Sequence, residues 1–205
     1  MLKEGFKFYY KVIKLKEILR QGYIKWGVKS DRIESVAEHV FGSMILAVSL
    51  YSQLKLSLDL NKVLEMITYH ELEEIEIGDL TVFDDKSSQK NRKIIEKIVG
   101  DLNERKRIVA LIDEFNMQES KEAKFARAVD KLECALQMKK YQDLGLVTIE
   151  NVTPQMLENK RLKEYIDSGK YDLADIFFLW DLSSYEEYGI TEELWFKELK
   201  KLKID

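Results

Sequence analysis

Residues 59–78, DLNKVLEMITYHELEEIEIG, decide the fold class and carry the densest chemistry in the chain. Leu60, Val63 and Ile67 recur at three and four positions, the period that brings side chains onto one face of an α-helix. The same spacing continues into His70 and Glu74. A helix over 59–78 would therefore carry an imidazole and a carboxylate on its inward, apolar stripe.

Outward from this segment the same period dominates. With one proline and nine glycines among 205 residues, the chain has few helix breakers, and an all-α fold is expected. Phe6, Tyr9, Ile13, Leu15, Ile18 and Leu19 outline a first helix that Gly22 is expected to stop. Ser35-Val36-Ala37-Glu38 has the Ser-x-x-Glu form of a capping box and should open a helix running to about residue 53. Segments 87–103, 104–115 and 120–144 read as helices. Thr153-Pro154 marks a further helix start, and Thr191 a cap for the last helix. No linker, repeat or low-complexity tract interrupts the pattern. One domain over 1–205 is expected, with a motif-bearing core at about 10–145 and C-terminal helices at about 153–205 packing on it.

Apolar residues make up 45% and charged residues 34% of the chain, an ordinary globular balance. The net charge is -4 with both signs interleaved, so no basic footprint for nucleic acid stands out. Cys134 is the single cysteine, which excludes an intramolecular disulfide and a CxxC zinc ribbon and fits a reducing, cytoplasmic compartment. Lysines run through the apolar N-terminus, and the other apolar runs are too short for a bilayer, so neither export nor a membrane partner is expected.

His39 and His70 are the chain's two histidines. Each taken alone reads first as a hydrogen-bonded core histidine. His70-Glu71-Leu72-Glu73-Glu74 changes the balance, because burying several carboxylates together is costly unless a cation or protons compensate. Glu73 and Glu76 read as solvated helix residues, and Asp79 after Gly78 as a turn residue or something more. Asp130 lies on the stripe of Ala123, Ala126, Cys134 and Tyr141, where an acid wants a partner; a surface salt bridge to Lys131 or Arg127 is the ordinary alternative. Two imidazoles and two carboxylates on three helices suit an octahedral divalent ion.

The sequence resembles the HD-domain phosphohydrolases, and among them the small 5'-deoxynucleotidase branch. ESVAEHVFGSMILA (34–47) is similar to its first-histidine motif, HELEEIEIGDL (70–80) to its His-Asp-x-x-Glu...Gly-Asp segment, and AKFARAVDKLECALQ (123–137) to the helix supplying its last aspartate. LKEILRQGY (15–23) is similar to an upstream Leu-Lys...Arg-x-Gly-Trp stretch. Glu71 stands where that family has its name-giving aspartate, and Tyr23 where tryptophan is usual. The resemblance implies one divalent metal ion, manganese or cobalt first, with magnesium, nickel and zinc compatible, held by His39, His70, Glu71 and Asp130. It implies Glu74 and Asp79 as the acid–base pair, Arg20 for the substrate phosphate with Lys25 a weaker stand-in, and Tyr23 against the sugar or base. The reaction implied is hydrolysis of (deoxy)nucleoside 5'-monophosphates to nucleoside and phosphate. A non-catalytic nucleotide sensor is the alternative. A small-molecule nucleotide is the expected partner, and a homodimer is compatible with the chain.

Overall fold

The computed structural model describes residues 2–81, 83–84 and 92–202. It is all-α. In order come α1 (Leu2–Val12), α2 (Gln21–Lys25), α3 (Val36–Leu54), α4 (Leu60–Tyr69), α5 (Glu74–Ile77), α6 (Arg92–Val99), α7 (Arg105–Met117), α8 (Lys121–Asp143), α9 (Lys160–Asp167), α10 (Leu173–Trp180) and α11 (Glu192–Lys197), with short 3₁₀ turns between several of them. Among the described residues there is no strand, and a single antiparallel bridge joins Leu19 to Ser35. The chain divides into two compact units, residues 1–22 with 34–130, and 23–33 with 131–205, with the boundaries falling inside α2 and α8.

In the first unit, α3 begins where the Ser-x-x-Glu pattern places it. The Glu38 N–H donates to Ser35 Oγ at 3.3 Å and the Ser35 N–H to Glu38 Oε2 at 2.8 Å, so both halves of the capping box form. The buried stripe of α3 is Val36, His39, Ser43 and Ala47, and that of α4 is Val63, Met66 and Ile67. Leu72, Ile95, Val99, Ile108, Val109 and Ile112 form a core cluster closed by Phe8, Val12, Tyr69, Ile75 and Leu102. Each fully buried aliphatic side chain contributes about 1.5–3 kcal/mol of transfer free energy, which offsets the polar groups buried nearby.

In the second unit, Phe178 stacks on Trp195 with ring centroids 4.3 Å apart and leans on Tyr185, whose hydroxyl donates to the Phe178 carbonyl. Thr191 caps α11 as expected, accepting from the Leu194 N–H at 3.2 Å.

Three expectations change. The helix expected over 59–78 breaks after Tyr69 and resumes at Glu74. Between them the backbone tightens into i→i−3 bonds, Leu72 N–H to Tyr69 O at 3.2 Å, Glu74 to Glu71 at 3.1 Å and Ile75 to Leu72 at 3.3 Å. Gly22 does not stop the first helix; α1 ends at Val12, and Gly22 lies inside α2. Residues 18–20 instead pair with 34–36, a tertiary ladder that local periodicity does not register. Thr153-Pro154 opens only a turn, and Asn159 is the residue that caps α9, accepting from the Leu162 N–H at 3.1 Å. The helix expected over 87–103 is α6; residues 87–91 lie outside the described residues.

Candidate metal centre

His39 projects from the first turns of α3, His70 and Glu71 from the tightened turn after α4, and Asp130 from α8. One donor atom from each of the four lies within 4.8 Å of all the others. His39 Nε2 is 3.0 Å and His70 Nε2 3.5 Å from Asp130 Oδ1, while Glu71 Oε1 is 3.3 Å from His70 Nε2 and 3.9 Å from His39 Nε2. Ligands about 2.1 Å from a shared ion stand about 3.0 Å apart in octahedral and about 3.4 Å in tetrahedral arrangement, so these spacings suit a common divalent cation. His70 and Glu71 both reach the cluster from the tightened turn between α4 and α5.

Second partners orient the donors. His70 Nδ1 lies 2.7 Å from the Ile67 carbonyl. A carbonyl only accepts, so Nδ1 carries the proton and Nε2 faces the cluster, buried and without a hydrogen-bond partner. The Phe115 ring packs on the imidazole at 5.0 Å between centroids. Asp130 is 2% exposed; Oδ1 faces the imidazoles, and Oδ2 lies 3.4 Å from Arg127 Nη1. The ion pair that was the ordinary alternative for Asp130 is thus present together with the cluster. Glu71, one methylene longer than aspartate, does reach the donor set.

Burial alone would lower the pKa of His70, but the negative charge of Glu71, joined by that of Asp130, pushes it up to about 9. Burial opposes the ionisation of Glu71, and the imidazole of His70 followed by the guanidinium of Arg20 nevertheless holds it well below the usual carboxylate range. Glu74 goes the other way. It is 7% exposed, Oε2 is buried without a partner, and burial, reinforced by the Glu71 and Asp79 carboxylates, pushes its pKa up to about 11.

Arg20 and Asp79 join the same neighbourhood. Arg20 Nη1 is 3.4 Å from Glu71 Oε1 and 3.2 Å from Asp79 Oδ1, and the Gln21 N–H donates to Asp79 Oδ2 at 2.5 Å. Asp79 is buried, and Gly78 before it has φ +76°, a conformation that a side chain disfavours. Tyr23 and Lys25 belong to the other unit. The Tyr23 side chain is 3% exposed, its hydroxyl donates to the Cys134 carbonyl at 3.1 Å, and its ring packs on Tyr141 and Phe177. Glu76 is exposed and paired with Lys97, as expected of a solvated helix residue, whereas Glu73 is half-buried. Gln21, Phe115 and the orienting role of Arg127 were not legible beforehand. Gln21 acts through its backbone, which leaves no side-chain signal, and Phe115 reads as one more core residue of α7.

Residues 12–168 match the family described as HD domain. The 5'-deoxynucleotidase HDDC2 of Mus musculus is 26% identical over 172 residues, covering 79% of this chain and 77% of that protein. Its Dictyostelium discoideum counterpart is 28% identical over 172 residues, covering 77% and 85%. A solved structure from Magnetospirillum magnetotacticum MS-1, named a predicted metal-dependent phosphohydrolase, aligns with a TM-score of 0.61 and 26% identity over 82% of this chain and 89% of that one. A Pyrococcus horikoshii OT3 protein at 21% identity shares the fold over 98% of this chain and 96% of its own, with a TM-score of 0.61. With the match spanning most of the chain and His39, His70, Glu71 and Asp130 converging as they do, the chain belongs to the HD domain family.

Proposed function

We propose that this protein is a divalent-metal-dependent phosphomonoesterase that hydrolyses nucleoside 5'-monophosphates, deoxyribonucleotides foremost. The observation that carries the reading is the convergence of His39, His70, Glu71 and Asp130, with the buried His70 Nε2 turned toward both carboxylates. The substrate class follows the relatives named 5'-deoxynucleotidase. The chemistry a divalent cation supplies when bound there is Lewis acidity, which neutralises phosphate oxygens and acidifies water. Manganese or cobalt is the proposed ion, since mixed imidazole and carboxylate donors suit an ion of intermediate hardness.

In the reaction a water oxygen forms a bond to phosphorus, the bond from phosphorus to the 5' oxygen breaks, and that oxygen leaves with a proton. The residues of the chain divide this work. Arg20 presents its guanidinium fork to the phosphate oxygens. Glu74 is the proton-transfer group: it is buried beside Glu71, its Oε2 is not engaged, and its raised pKa lets it hold a proton near neutrality. Tyr23, with its ring engaged on Tyr141 and Phe177, is read as a packing residue rather than as a partner for sugar or base. A cytoplasmic enzyme with a small-molecule partner fits the single cysteine, and no described helix is long and apolar enough to cross a membrane.

The test is phosphate release from a panel of nucleoside mono-, di- and triphosphates, run with each of Mn, Co, Mg, Ni and Zn. Release from 5'-monophosphates that chelation abolishes is expected. Binding of the same nucleotides without release by any metal-loaded form would replace the enzyme with a nucleotide sensor.

A further inference from the structure

We propose that Asp79 is a positioning residue, a latch that sets Arg20 for the phosphate, and not a carrier of protons in the reaction. The inference rests on the phosphohydrolase reading and divides the labour within it. Its basis is how residues 18–21 are held.

One edge of this strap is fastened to the start of α3. The Val36 N–H donates to the Ile18 carbonyl at 2.8 Å, the Arg20 N–H to the Glu34 carbonyl at 3.0 Å, and Leu19 bridges Ser35. Ser35 is the cap of α3, four residues before His39, so the strap and that imidazole share an anchor. The other edge is fastened by Asp79: Oδ2 takes the Gln21 N–H at 2.5 Å, and Oδ1 takes the Arg20 guanidinium at 3.2 Å. One carboxylate grips the backbone of the strap and the side chain it delivers. The positive φ of Gly78 sets Asp79 in that place, where an added Cβ would meet nothing within 4 Å, so the constraint lies in the backbone.

Both oxygens of Asp79 are thus engaged as acceptors, one by the Gln21 N–H and one by the Arg20 guanidinium, so neither is turned toward a reacting atom. Glu74 offers the contrast, with Oε2 buried and unengaged. Asp79 also shares Arg20 with Glu71, whose Oε1 is 3.4 Å from the same Nη1.

The test pairs Asp79→Asn and Asp79→Ala with Arg20→Ala and the double variants in the metal-loaded protein. Asn keeps the shape and one acceptor for the Gln21 N–H, and melting temperatures verify that each variant folds. Orthophosphate affinity by calorimetry should fall roughly tenfold in the Asp79 variants and in Arg20→Ala, and hardly further in the double variants, because the contacts to a charged group are lost once. The pH profile of kcat in Asp79→Asn should keep the wild-type shape. Asp79 as a proton carrier would instead leave orthophosphate affinity intact, lower kcat by about 100-fold with loss of one limb of the profile, and multiply with Arg20→Ala. That result overturns the latch. Failure of the phosphohydrolase reading looks different: wild-type protein then releases no phosphate, while orthophosphate binding still reports on the latch. Wild-type protein that binds no orthophosphate would overturn the latch as well, since Arg20 would then have no anion to be set for.

Discussion

Two clusters of buried charge, one in each unit, are built from similar residues and end in opposite states. In the second unit Asp175 is 1% exposed, and its carboxylate accepts from Trp195 Nε1 at 2.9 Å, Lys200 Nζ at 2.6 Å and the Asp172 N–H at 3.1 Å. Asp172, the cap of α10, returns a bond to the Asp175 N–H and pairs with the same lysine at 2.7 Å. Every charge there has a protein partner. In the first unit, carboxylates and imidazole nitrogens face one another, and His70 Nε2 and Glu74 Oε2 are buried without hydrogen-bond partners. A closed network holds a fold together; a network left open is one that a cation or substrate completes.

The largest effect should come from breaking the open cluster. Glu71→Ala removes one of two carboxylates from the donor set, and metal affinity, measured by calorimetry or by competition with a chelator, should fall on the order of 100-fold with activity following it. Glu71→Asp restores the shorter acid in a turn shaped for the longer one, and partial affinity with a changed metal preference is expected. Unchanged metal content in both variants would return Glu71 to the status of a partly buried helix-end residue.

Glu74→Gln sharpens the comparison from within the first unit. It removes the proton but keeps the shape, so metal content should stay close to wild type while turnover falls about 100-fold or more. Parallel loss of metal would make Glu74 a ligand instead.

The smallest effect belongs to the closed network, and it is an effect on stability. Lys200→Met leaves the buried Asp175 short of its cation and should destabilise the protein by about 2 kcal/mol, read from chemical denaturation, with metal affinity of the folded form unchanged. The sign of the accompanying pH dependence follows from Asp172. Burial works against its ionisation, but Lys200, the Asp175 N–H and Gln142 hold its pKa below the ordinary value of 3.8. Its contribution is therefore fully present above that value and lost as the pH falls through the lower, folded one. Trp195 fluorescence should report acid unfolding below about pH 4 in the wild type, and a shallower dependence in Lys200→Met.

Much of the first cluster was readable in advance because its residues lie on, or continue, strongly periodic stripes. His70 and Glu74 follow the stripe of Leu60, Val63 and Ile67, and Asp130 interrupts a stripe of small residues. The second network was not readable. Asp172, Asp175 and Lys200 look like ordinary surface charges, yet Asp175 is buried under Trp195, whose Nε1 donates to it, while Asp172 and Lys200 stay part exposed.

Near neighbours along the chain determine what the sequence by itself decided: the helical class, the capping of α3 by Ser35 and of α11 by Thr191, and the residue types able to hold a cation. These depend on spacings of three and four residues and on one side chain reaching its own backbone. What only the tertiary structure decided are pairings across long separations. His39 meets Asp130 from 91 residues away, and Gln21 meets Asp79 from 58. The break after Tyr69, the pairing of 18–20 with 34–36 and the engagement of both Asp79 oxygens arise because each buried polar group takes the partner that the packed chain brings within reach, and local periodicity carries no record of that partner.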